Sequence, residues 1–224
     1  MNQIKGILFD MDGTVLASEG LFDKAIKIFL EEKNIIIKSQ ELNIFKGLSY
    51  KDFYPKFTKK FKIRDEVELI RKRIRTNLYK LMETDLKYIN GFKSFHKDII
   101  KYSNIKTAVV TNTTRKSYEK IQSIVNINRY FNYSITVTEA KKPKPSPEPY
   151  LQAMERLNLI PTNTIIIEDS KTGFLSALKT KSKVVGITTT LRGQEIKNIS
   201  KDIQIAKSYL EIKNFLKKRY YISG

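Results

Sequence analysis

Ile4-Lys5-Gly6-Ile7-Leu8-Phe9-Asp10-Met11-Asp12-Gly13-Thr14-Val15 is the stretch on which the fold turns. Its first half is a short run of strand-forming apolar residues. Its second half sets Asp10 and Asp12 close together and follows them with a glycine. Ile4–Asp10 therefore reads as a strand whose end delivers Asp10, and Gly13 permits the sharp turn that follows. In an open α/β sheet, ligands bind at the carboxyl ends of the strands. Two like charges this close are costly to bury unless a cation joins them. A Mg²⁺ ion takes oxygen ligands and a substrate phosphate, so it is the cation expected here.

Outward from that stretch, short β-rich runs alternate with amphipathic helical ones. Thr107–Thr111, Ser134–Val137, Thr164–Glu168 and Lys183–Ile187 read as strands, with Ile203–Ala206 a weaker one. Between them, Phe92–Tyr102, Lys116–Val125, Pro147–Leu157, Gly173–Lys179 and Tyr209–Arg219 read as helices. This alternation predicts an α/β fold, a Rossmann-like parallel sheet with helices on both faces. The near-continuous apolar strands fit burial on both sides. The segment from about Leu16 to Lys87 breaks the rhythm: Leu21, Ala25, Ile28 and Phe29, then Val67, Ile70, Ile74 and Leu78, recur at helical spacing. The expected organisation is an α/β core of residues 1–15 and 88–224 with a helical domain of residues 16–87 inserted, Gly13 and Gly91 punctuating its ends.

Composition bounds the remaining choices. With 224 residues and 41% hydrophobic content, the chain can bury a substantial core. It has no cysteine, which excludes disulfides and thiol catalysis. The N-terminus lacks the longer apolar core of a signal peptide, and no run of about 18 apolar residues could cross a membrane. A cytoplasmic home is expected, with no membrane partner. The net charge of +19 comes from lysines spread along the chain rather than gathered in one block. Solvated helix faces account for it, and its field draws in phosphorylated small molecules no less than nucleic acid. His96, the one histidine, reads as a surface residue, and Lys217-Lys218-Arg219 with Tyr220 and Tyr221 as a solvated helix end.

Three later segments carry groups that suit the same chemistry. Thr111-Asn112-Thr113 follows a strand and offers a hydroxyl and an amide to phosphoryl oxygens. Lys144 sits in a turn stiffened by Pro143, Pro145, Pro147 and Pro149, where its ammonium would balance carboxylates and phosphate. Glu168-Asp169-Ser170 follows Ile165-Ile166-Ile167 and could complete a Mg²⁺ shell, although an Asp before a helix is also a good cap. One carboxylate of the first segment would attack phosphorus and become an aspartyl phosphate; the other would protonate the leaving oxygen and then take a proton from water.

These four segments, in this order, resemble the haloacid dehalogenase-like hydrolase superfamily. More narrowly, the chain is similar to the subgroup with a helical cap after the first strand, which includes phosphoglycolate phosphatases and β-phosphoglucomutases. The resemblance covers essentially the whole chain. It implies that Asp10 is the nucleophile and Asp12 the general acid/base. It implies metal ligation by Asp10, the backbone carbonyl of Asp12 and Asp169, with Glu168 a ligand or an outer partner. Thr111 and Asn112 match the phosphate contacts. Lys144 matches the charge-balancing lysine; Lys142 also precedes a proline, but Tyr150 stands six residues after Lys144, as in the family pattern. An acid at Asp12 fits phosphoryl transfer better than dehalogenation, since halide leaves without a proton.

The cap is expected to choose the substrate. Phe45-Lys46-Gly47-Leu48-Ser49-Tyr50 aligns with the family's substrate loop, which makes Lys46 and Lys51 candidate substrate contacts. Mutases of this group usually carry an arginine where Tyr50 stands, and phosphoglycolate phosphatases a proline near Ser49. The expected activity is therefore Mg²⁺-dependent hydrolysis of a small phosphomonoester, a phosphorylated metabolite such as a sugar phosphate or phosphoglycolate. A β-phosphoglucomutase-like mutase and a nucleic-acid-binding protein without enzyme activity are the alternatives. Cap hinges are expected near Leu16–Ala17 and Lys87–Asn90.

Overall fold

A computed structural model describes residues 2–45 and 50–222, with backbone alone at Asn2, Tyr50 and Lys51. In chain order the strands are β1 (Asn2–Gln3), β2 (Gly6–Phe9), β3 (Lys106–Val110), β4 (Tyr133–Ile135), β5 (Thr164–Glu168), β6 (Lys183–Ile187), β7 (Gln204–Ala206) and β8 (Tyr220–Tyr221). The helices are α1 (Leu21–Glu31), α2 (Tyr50–Phe61), α3 (Val67–Asp85), α4 (Phe92–Phe95), α5 (Arg115–Val125), α6 (Glu148–Arg156), α7 (Lys171–Leu178), α8 (Gly193–Ile199) and α9 (Tyr209–Arg219). The chain divides into two compact units, one of Met1–Ala17 with Lys87–Gly224 and one of Ser18–Leu86.

In the first unit, six strands lie in the order β4-β3-β2-β5-β6-β7 and every neighbouring pair is parallel. The sheet is α/β and Rossmann-like, as the alternation implied. β2 and β5 are buried along their whole length because helices cover both faces. One face places Leu8, Ala108, Val110 and Ile166 against Tyr150, Ala153 and Met154 of α6 and Phe174 and Ala177 of α7. On the other, Phe9 makes edge-on contacts with Phe92, Phe95 and Phe131. Strand order reverses between β2 and β5, so their carboxyl ends open a crevice at the position where such sheets bind ligands.

Some elements differ from the sequence reading for local reasons. β2 starts at Gly6 rather than Ile4, because the amides of Ile4 and Lys5 donate to Tyr221 and Asn163 outside the ladder. The helix expected at Phe92–Tyr102 is α4 followed by wider π turns that end at Ile100. The parallel pair β1–β8 is too short to leave a period in the sequence. α8 buries Ile196 alone, so it shows no amphipathic repeat.

The second unit packs α1 against α3 and closes over an aromatic core of Phe29, Phe45, Phe53 and Phe57. Phe53 and Phe57, one turn apart on α2, stack with centroids 5.2 Å apart. The two segments expected to act as hinges are joined by backbone hydrogen bonds in the first unit, from Ala17 N–H to Lys87 and from Ile89 N–H to Val15. No described helix is long and apolar enough to cross a membrane.

Candidate active site

Asp10 leaves the sheet at the end of β2, where its amide donates to the Ile167 carbonyl of β5 at 3.0 Å. That bond ties the two strands together at the switch point and brings Asp10 beside Glu168 and Asp169. The turn that follows is closed by Val15 and Leu16 amides on the Met11 carbonyl and by the Gly13 amide on Leu16. Gly13 adopts φ 79°, a left-handed conformation natural to glycine. It also needs the missing side chain, since a β-carbon there would collide with the Asp169 carboxylate.

Lys144 enters from the loop before α6. Its ammonium donates to Asp10 Oδ1 at 2.7 Å and to Glu168 Oε1 at 2.6 Å. It also donates to the Tyr150 hydroxyl at 3.0 Å and lies 4.7 Å from the centroid of that ring. Tyr150 in turn donates to Glu168 Oε1 at 2.8 Å. The spacing from Lys144 to Tyr150 is thus physical: the loop before α6 and the start of that helix return the ring to the ammonium. Lys142 is exposed, whereas Lys144 is 5% exposed, which separates the two candidates. Asn112 braces the lysine loop from below, accepting from the Lys144 amide and donating to the Lys144 carbonyl, both at 3.1 Å.

Asp10, Glu168 and Asp169 are all buried, and one carboxylate oxygen from each lies within 4.8 Å of the others. Three acids thus face one ammonium. Burial pushes the Asp10 carboxyl well above the usual carboxylate range; Lys144 pulls it down, and Glu168, Asp169 and Asp12 push it back up. Burial opposes the charge on Lys144 too, but Asp10 and Glu168 outweigh it and hold the ammonium above the usual lysine value. The surplus of negative charge and the all-oxygen donor set fit a hard divalent cation.

The two members of the later acidic pair have different surroundings. Glu168 Oε1 accepts from Lys144 and Tyr150, and its Oε2 accepts from the amides of Asp169 and Ser170 and the Ser170 hydroxyl. Asp169 accepts from the Thr14 hydroxyl at 2.9 Å and from the Thr190 hydroxyl. Neither acid caps α7: Ser170 does, accepting from the Gly173 amide at 3.1 Å. Asp12 accepts from the Thr113 hydroxyl at 3.0 Å. Thr111 is buried and its hydroxyl accepts from the Thr113 amide.

Asp10, Lys144, Glu168 and Asp169 thus converge, with Asp12, Thr111 and Asn112 joined to them through Thr113 and the lysine loop. Of the two substrate candidates, Lys46 lies outside the described residues, and Lys51 is described only as backbone in α2. Sequence reasoning names Thr113 and Tyr209 only as parts of their segments and does not single out Thr190; the Tyr209 hydroxyl donates to the Thr14 carbonyl at 2.9 Å. Thr188-Thr189-Thr190 follows β6 directly, and hydroxyls at a strand's carboxyl end were the available signal. His96 stands apart, half-buried against the Tyr130 ring at 4.9 Å.

Residues 7–187 match the model of the haloacid dehalogenase-like hydrolase family. A phosphorylated carbohydrates phosphatase of Thermotoga maritima is 25% identical over 175 residues, covering 78% of this chain and 80% of its own. A pyrophosphatase PpaX of Bacillus mycoides is 24% identical over 196 residues, covering 86% of this chain and 87% of its own. Among solved structures, a Thermotoga maritima protein provisionally named a β-phosphoglucomutase superposes with a TM-score of 0.86 at 24% identity, covering 96% of this chain and 100% of its own. A Deinococcus radiodurans HAD family hydrolase with bound phosphate and sodium gives 0.78 at 17% identity, covering 97% of both chains. At these identities the structural likenesses speak for the fold alone. The family model spans most of the sequence and includes every segment of the acidic cluster: the chain belongs to the haloacid dehalogenase-like hydrolase family.

Proposed function

We propose that the chain is a Mg²⁺-dependent phosphatase that hydrolyses a small phosphomonoester through an aspartyl phosphate on Asp10. The observation that carries this reading is the Lys144 ammonium held between Asp10 and Glu168, with Asp169 in the same buried cluster. Asp10, Asp169 and the backbone carbonyl of Asp12 would hold Mg²⁺, which supplies positive charge to the substrate phosphate when bound. Glu168 is better suited to anchoring Lys144 than to ligation, because Lys144 and Tyr150 donate to one of its oxygens and three donors of Asp169 and Ser170 to the other, whereas each Asp169 oxygen accepts from a threonine hydroxyl.

The protein's own groups then divide the work. An Asp10 carboxylate oxygen forms a bond to phosphorus as the ester oxygen departs. The Asp12 carboxyl, oriented by Thr113, gives that oxygen its proton. Asp12, now ionised, takes a proton from water as the water attacks phosphorus, and the Asp10–phosphorus bond breaks to release phosphate. Lys144 offsets negative charge on the attacking carboxylate and the phosphoryl oxygens throughout. Thr111 and Asn112 complete the phosphoryl surroundings, Asn112 also fixing the loop that presents Lys144. The helical unit serves as a cap that selects the substrate, with Lys46 and Lys51 as contacts.

Two curated relatives named for action on phosphorylated carbohydrates and on pyrophosphate support a small phosphorylated substrate here. The mutase alternative draws on fold likeness alone. A panel of sugar phosphates, phosphoglycolate and pyrophosphate, with p-nitrophenyl phosphate as reference, tests the assignment in the presence of Mg²⁺. At least one monoester should be hydrolysed, and Asp10→Asn should lose about 10³-fold or more in kcat. Wild-type turnover in Asp10→Asn overturns the nucleophile assignment.

A further inference from the structure

The amino end of the sheet carries a second site that the hydrolytic chemistry leaves unused. The π turns after α4, the turn before β3, α9 and β8 line a cavity of about 540 Å³. That falls in the range of small-molecule sites, about 300–1,000 Å³. Ser103 lies before β3 and Thr111 after it, so this cavity stands at the opposite end of that strand from the acidic cluster.

Its walls are aromatic and its surroundings basic. Tyr102, Tyr220 and Tyr221 line it with Ile99. Tyr102 is 71% exposed and Tyr221 59%, so two large rings present their surfaces to water. Tyr220 is half-buried and fixed edge-on to Phe215 at 6.0 Å. Lys217 lines the cavity, and Lys101 places its ammonium 5.0 Å from the centroid of the Tyr102 ring. Asp98 is the acid in this wall, and its carboxylate is engaged by Lys213 at 2.6 Å. Lys217 and Lys97 act on the same carboxylate. Asp98 is thus one acid beside four lysines, Lys97, Lys101, Lys213 and Lys217, and the surroundings of the cavity are positive.

Exposed π faces beside positive charge complement a ligand that joins a planar ring to an anionic group. We propose that this cavity binds a free nucleoside phosphate, its base stacked on Tyr102 or Tyr221 and its phosphate beside Lys217. The cavity opens to solvent, but its volume of about 540 Å³ suits a mononucleotide rather than a strand, which would need a continuing groove.

Calorimetric titration of the full chain in an Asp10→Asn background, where the probe is not consumed, tests this with ADP, adenosine, inorganic pyrophosphate and a short oligonucleotide. ADP should bind, with adenosine and pyrophosphate each at least about tenfold weaker. The double variant Tyr102→Ala/Tyr221→Ala should weaken ADP about tenfold or more, and Lys217→Glu should weaken it and flatten its salt dependence. On the wild-type Asp10 background, both variants should hydrolyse p-nitrophenyl phosphate at the parent rate. No ADP binding at millimolar concentration, equal ADP affinity in parent and variants, or pyrophosphate as tight as ADP would each overturn the proposal. Oligonucleotide binding more than tenfold tighter than ADP would also overturn it, in favour of a strand.

Discussion

The Glu168 carboxylate occupies the space that a β-carbon on Gly173 would need. The first turn of α7 is therefore laid directly against the acid that anchors Lys144. Because Glu168 is completely buried, it has no solvent side into which to withdraw.

Gly173→Ala should displace Glu168 and loosen the Lys144 ammonium from Asp10. Steady-state kinetics with Mg²⁺ should give a kcat lowered at least about tenfold, and overpacking should cost about 1–3 kcal/mol in denaturant unfolding. Ala at Gly193, where a β-carbon would meet Ile205 only at an ordinary contact distance of 3.6 Å, serves as the comparison and should leave kcat unchanged. Parent kcat in Gly173→Ala would separate Glu168 from the function of Lys144.

The raised Asp10 carboxyl ties metal binding to pH. Without metal, the folded state holds a proton on Asp10 that the unfolded chain releases at the ordinary carboxylate value. This group's contribution to stability therefore falls as pH rises from that value through the raised one. A cation must displace the same proton, so its affinity rises with pH. The gain in Tm on adding saturating Mg²⁺ should be several degrees near pH 8 and should shrink toward pH 5. Chelation should reverse it, and a pH-independent gain would contradict the assignment of Asp10 as a ligand.

Away from the site, Arg115 forms a two-pronged pair with Glu139 at 2.9 and 3.0 Å, and Glu139 also accepts from the amide and hydroxyl of Thr136. Burial opposes the Glu139 charge, but the Arg115 and Thr136 donors bring it from 4.5 down to about 2. The resulting stability is present above about pH 4.5 and lost as pH falls toward 2. Glu139→Gln should lower stability at neutral pH by about 1 kcal/mol after allowance for solvent screening. By pH 2 the variant and parent should converge in denaturant midpoint, and a constant gap would show that the pair does not titrate as described.

The convergence of Asp10 and Lys144 was legible because its signals are local. An apolar strand that ends in Asp10, and a proline-flanked Lys144 with Tyr150 one helical stretch later, each lie within a few consecutive residues. The parallel order of the strands followed from alternation and the chirality of crossovers. What stayed hidden depends on distant pairs. Thr190 finds Asp169, and Tyr209 finds Thr14, only after the sheet has closed. Glu168 and Asp169 are adjacent in sequence, yet their donors divide them into an anchor for Lys144 and an acid held by threonine hydroxyls; only the fold supplies that distinction. β1 and β8 contribute two residues each and carry no period to read.

The central claim is a covalent bond from Asp10 to phosphorus, and acid-quenched peptide mass spectrometry during turnover with Mg²⁺ reads that bond directly. A phosphoryl-sized mass increase confined to Asp10, absent from Asp10→Asn, is the expected result. A phosphoryl group on any other residue, or Asp10→Asn turning over at the parent rate with its peptide unmodified, would contradict it.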